Sequence, residues 1–96
     1  MVGELINKTY KYTDVALASG AKVTANNVVT KDDKVEIVDS GNVTVKVGEM
    51  LRSFSFSIYN YGINGEKTYN LNNVPEGVDG QAIVKEFVDF VEKDIA

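Results

Sequence analysis

One stripe of side chains constrains this chain more than any other feature. After Asp79, Ile83, Val84, Phe87, Val88, Val91 and Ile95 recur at helical spacing, while Lys85, Glu86, Asp89, Glu92 and Lys93 fall on the opposite side. Burying five of those large apolar groups would gain about 7 to 15 kcal/mol gross, at roughly 1.5 to 3 kcal/mol each. The i,i+4 pairs Lys85 with Asp89 and Asp89 with Lys93 add only about a few tenths of a kcal/mol each. The stripe must therefore lie on an apolar surface. The spacing predicts a helix over 79–95, with Asp79 at its N-cap and Pro75 marking the end of what precedes it.

Upstream of Pro75 the period changes to two. β-branched and aromatic residues alternate with polar ones, and strands followed by one helix is an α+β ordering. With 96 residues, 44% of them hydrophobic, the chain makes one domain, 1–74 mainly β and 79–95 helical. The expected fold is an antiparallel sheet of six or seven short strands packed by one C-terminal amphipathic helix, with barrel-like closure left open.

Two hairpins can be read in detail. Residues 33–47 form the first if Asp39, Ser40 and Gly41 make a three-residue loop with Gly41 in the left-handed region. Val35, Ile37, Val43, Val45 and Val47 then share a dry face, and Lys34, Glu36, Thr44 and Lys46 a wet one. The second runs from Leu51 to Tyr61 and returns over 67–71 through Asn64–Gly65, a strong type I′ turn signal. Counting from that turn sets Ile58 opposite Leu71 and Asn60 opposite Tyr69, with Phe54, Phe56, Ile58, Tyr69 and Leu71 in the core. The N-terminal third reads as strands near 4–12, 15–18 and 21–30, with Asn26–Asn27 a turn or bulge and a short helix at 14–19 the alternative.

The chain has no Cys, no His, no Trp and a single Arg. Thiol chemistry, disulfides and imidazole catalysis are excluded, and no cofactor or metal is expected. A hydrolase would need convergent carboxylates in an apolar cleft, and the acids at 32, 33, 36, 39 and 49 lie in turns or on a wet face. The loops Gly62–Gly65 and Gly77–Gly80 lack the residues of a phosphate-binding motif. Catalysis is not expected, and a small carboxylate-dependent hydrolase is the last of three alternatives.

A net charge of −4 has the wrong sign for neutralising phosphates, so nucleic acid is not an expected partner. The excess comes from residues 76–96, where six acids, Glu76, Asp79, Glu86, Asp89, Glu92 and Asp94, face two lysines. An acidic inhibitor or nucleic-acid mimic acting through Glu86, Asp89 and Glu92 is thus one alternative. A calcium-stabilised module is another, because Asp32, Asp33, Asp39, Ser40 and Asn42 carry hard oxygen ligands, although their spacing is not that of an EF-hand.

The opening residues show no basic segment before an apolar run, and no window is long enough to span a bilayer. The expectation is a cytoplasmic or virion-associated protein with no membrane partner. The leading functional expectation is a non-catalytic protein interaction or structural assembly module, binding a protein partner or itself as a homo-oligomer. Its contact residues are Ser55, Ser57, Tyr59 and Tyr61, where Tyr supplies rigid area and Ser adaptable hydrogen bonding.

Overall fold

The computed structural model describes residues 4–6, 9–59 and 67–96. Among these residues six strands and one helix follow in order: β1 Glu4–Ile6, β2 Thr9–Ala16, β3 Lys22–Lys31, β4 Lys34–Val47, β5 Met50–Tyr59, β6 Thr68–Asn72 and α1 Gly80–Ile95. Each strand pairs antiparallel with the next, giving the sheet order β1-β2-β3-β4-β5-β6. The class is α+β. No pairing joins β1 to β6 among the described residues, so the sheet is open rather than a barrel.

The helix lies where its stripe demands. Val84, Phe87, Val88 and Val91 are buried against Phe54, Phe56 and Ile58 of β5 and the inner residues of β2 to β4, with Ile83 and Ile95 half-buried at the margin. Asp79 caps the helix: its Oδ1 accepts the Ala82 N–H at 3.1 Å. Phe87 meets the rings of Tyr12 and Phe56 edge-on, at centroid distances of 5.7 and 6.0 Å.

A flat sheet could not wrap one helix, and bulges supply the bend. Thr13–Asp14 of β2 oppose Thr24 alone, and Asn26–Asn27 of β3 oppose Lys11 alone. On β4, Glu36 is an extra residue against β3, and Asp39–Ser40 oppose Ser57 alone. Asp14 sits at φ 49°, and its N–H donates to Thr24 Oγ1 at 3.0 Å, so the bulge leaves no orphan donor there.

These bulges correct the expected first hairpin. Residues 34–47 are one continuous strand, and the chain reverses on either side of it, at Asp32–Asp33 and Gly48–Glu49. Asp32 and Asp33 adopt φ 53° and 61°, the double positive-φ requirement of a type I′ turn met without glycine. Asp39–Ser40 is a bulge lying beside Asn26–Asn27, so both strands switch faces together and the inward residue is Val38, not Ile37. Gly41 is not in the left-handed region. It is glycine because the Phe56 ring covers it, and a Cβ there would fall within the ring.

Other expectations shift as well. The strand read as 4–12 is two, β1 and β2, the segment 15–18 divides between β2 and the following turn, and no helix forms at 14–19. Asn26–Asn27 resolves as a bulge. In the second hairpin Ile58 opposes Tyr69 and Phe56 opposes Leu71, two residues from the expected register, and Tyr69 and Leu71 are only half-buried. The Asn64–Gly65 turn lies outside the described residues.

Candidate functional site

Because Phe54, Phe56 and Ile58 point at the helix, Ser53, Ser55, Ser57 and Tyr59 point to the convex face. The register extends this row sideways. Thr44 stands beside Ser53, Asn42 beside Ser55, and across β6 Asn72, Asn70 and Thr68 stand beside Ser55, Ser57 and Tyr59. The result is a strip of hydroxyl and amide groups three strands wide, bordered on β4 by the exposed Asp39 of the bulge that opposes Ser57. Ser55, Ser57 and Tyr59 are half-buried within it, and Tyr61 lies outside the described residues. The asparagines and threonines were missed in the sequence because only the register shows them as neighbours of β5.

The acidic helix face is not a free surface. Glu86 Oε2 accepts the Ser19 N–H at 3.1 Å, fastening the helix to the β2–β3 turn. Glu92 is a hub. Its Oε2 accepts the Val35 N–H at 3.0 Å, and its carboxylate stands 3.9 Å from both Lys34 Nζ and Lys67 Nζ. Asp94 accepts the Tyr12 hydroxyl. Of the three acids expected to attract a basic partner, only Asp89 is exposed.

Burial, then the Asp94 carboxylate and hydrogen bond, pushes the Tyr12 phenol well above its ordinary value of 10.0. Tyr69 is also raised, by burial first and then by Asp89 and Glu92. Lys85 stands 5.8 Å over the Tyr69 ring, a cation–π contact that ties the helix to β6.

The possible calcium ligands divide between two places, Asp32–Asp33 at a hairpin tip and Asp39, Ser40 and Asn42 in and after the β4 bulge. No group of three or more carboxylates able to hold a metal converges among the described residues. A cavity of about 390 Å³ between the β2–β3 turn, β4 and the start of α1 holds Asp79 and Glu86 with Lys46. Both carboxylates already accept backbone N–H groups, and a seven-residue step along the helix sets them roughly 10 Å apart along the axis. Nothing there is arranged as an acid and base about one reacting atom.

Two large apolar side chains lie bare at the other end of β5, Met50 at 58% and Leu51 at 73% exposure. Sequence reading placed Leu51 at the start of a strand without marking it as exposed, since its surroundings depend on where β6 stops. No helix among the described residues is long and apolar enough to cross a membrane. Comparison with known protein families, with curated protein sequences and with solved structures gives no match.

Proposed function

We propose that the protein is a non-catalytic interaction or structural assembly module that presents its convex face to another protein. The strip of hydroxyl and amide groups around Ser55, Ser57 and Tyr59 carries this reading. Hydroxyl and amide groups set on a rigid sheet can meet a partner's polar surface with little loss of side-chain freedom, and Tyr59 adds contact area. The carboxylates support it by contrast: Asp79, Glu86, Glu92 and Asp94 are spent on internal hydrogen bonds, which leaves few groups for chemistry.

Charging the strip tests the reading. In the S55K/S57K double variant both substitutions point outward, and far-ultraviolet circular dichroism should match the parent. Native mass measurement in cell extract should show a heavier species for the parent that the variant loses. A parent that keeps its monomer mass with and without extract, at all concentrations, would sink the proposal.

A further inference from the structure

Strand β6 covers only half of β5. It ends at Asn72 opposite Ser55, and Asn73 then takes φ 64° before the chain leaves through Pro75. Among the described residues no strand pairs with Met50–Phe54 on that side, so a row of backbone N–H and C=O groups stands open. The open stretch is regular, with no bulge between Phe56 and Met50, unlike β2, β3 and β4. A groove of about 510 Å³ runs beside it, lined by Val47, Arg52, Ser53, Asn73, Pro75 and Glu76. Met50 and Leu51, both large hydrophobic residues exposed to solvent, lie on this stretch.

We infer that the open half of β5 is where two copies of this chain join, pairing antiparallel about a two-fold axis at Leu51. The pairing rests on the assembly reading above but uses a different surface. A two-fold that keeps both helices on one side of a joined sheet sets residues of like face opposite each other. Centring on Arg52 would oppose two guanidinium groups, which is destabilising. Centring on Met50 would pair strand residues with the turn Gly48–Glu49. Centring on Leu51 sets Leu51 against its own mate on the convex face and Met50 against Arg52 of the second copy. That second contact repeats one within the chain, where Arg52 Nη2 stands 3.9 Å from Met50 Sδ.

Charge permits the approach. The chain carries −4, yet the groove beside this edge holds one cation and one anion, Arg52 and Glu76, and is locally neutral. Centred on Leu51, the strand residues that pair are Met50, Leu51 and Arg52, about 10 Å of strand, so the contact is smaller than a standard interface and the dimer exchanges with monomer.

The chain has no cysteine, so one introduced thiol reports the contact. Facing positions of an antiparallel pair lie about 4.5 to 5.5 Å apart between Cα atoms, within disulfide reach. At high protein concentration L51C should oxidise to a covalent dimer much faster than D89C on the exposed helix face. L51K should weaken concentration-dependent association in light scattering by about tenfold or more, with melting temperature unchanged at low concentration. Equal cross-linking by L51C and D89C, or L51K associating like the parent, overturns the inference. A parent–extract complex that survives L51K and is lost in S55K/S57K, with no L51C dimer, overturns self-pairing alone. A covalent L51C dimer with no extract complex upholds self-pairing and removes the convex-face reading.

Discussion

The hydroxyl of Tyr12 lies 2.7 Å from Oδ2 of Asp94, a bond between strand β2 and the last turn of the helix that spans 82 residues of sequence. Tyr12 is buried to 1% exposure, so the hydroxyl has exchanged water for a single charged acceptor. The ring beside it packs edge-on against Phe87 and Phe90, so the bond closes the same seam that the aromatic groups fill.

Tyr12→Phe should therefore lower stability by about 1.5 to 3 kcal/mol at pH 7, the range for a hydrogen bond to a charged group. Urea unfolding of the variant and the parent measures it. An unchanged midpoint would show that the bond contributes nothing net.

The same residue predicts an alkaline response. Its folded pKa is raised, so above pH 10 the unfolded chain releases a proton that the folded chain keeps. The unfolded state then binds fewer protons, and stability falls as pH rises from 10, by up to about 1.4 kcal/mol per pH unit from this group. Tyr69 adds in the same direction. Unfolding measured from pH 8 to 11.5 should show the decline in the parent and a shallower one in Tyr12→Phe.

Gly41 and Phe56 are a matched pair across β4 and β5. Gly41→Ala should cost about 1 to 3 kcal/mol through overpacking. In a Phe56→Leu background the same change should cost less, because the ring that occupies the space is gone. A double-mutant cycle showing simple additivity would separate the two residues.

Glu92→Ala removes the acceptor of the Val35 N–H and the partner of Lys34 and Lys67. Most of the expected loss, about 1 to 3 kcal/mol, comes from the amide left without a partner, since both ion pairs are long at 3.9 Å and the one to Lys34 is exposed. Hydrogen exchange at Val35 should accelerate in the variant. Added salt should change the loss only slightly.

The turn Asp32–Asp33 holds two non-glycine residues at positive φ. Replacement by Asn-Gly relieves that conformation and should stabilise by about 0.4 to 1 kcal/mol, a rise of several degrees in Tm for a domain of this size. Thermal melts of both proteins decide it.

The helix and the inner face of β5 were legible from single side chains. A stripe at 3.6 spacing has one way to become buried, Asp before such a stripe has one obvious use, and alternation through Phe54, Phe56 and Ile58 assigns faces without knowing any neighbour. Those assignments depend on residues close in sequence, and they hold. The β4 strand did not yield to the same method. A polar break followed by glycine reads locally as a turn, yet here Asp39–Ser40 is a bulge whose change of face is matched by Asn26–Asn27 on β3, while Gly41 makes room for Phe56.

Amino-acid order by itself determined the class of fold, the buried helix stripe and the β5 face that receives it, because each follows from a short periodic pattern. Only the tertiary structure decided which polar breaks are turns, the β5–β6 register, the asparagines and threonines beside the serine row, and the uncovered edge at Met50–Phe54. Each of these depends on which residues a neighbouring strand places opposite. Strand pairing is a contact between distant parts of the chain, so its register is set by the packing of the whole sheet around the helix and not by any local run of residues.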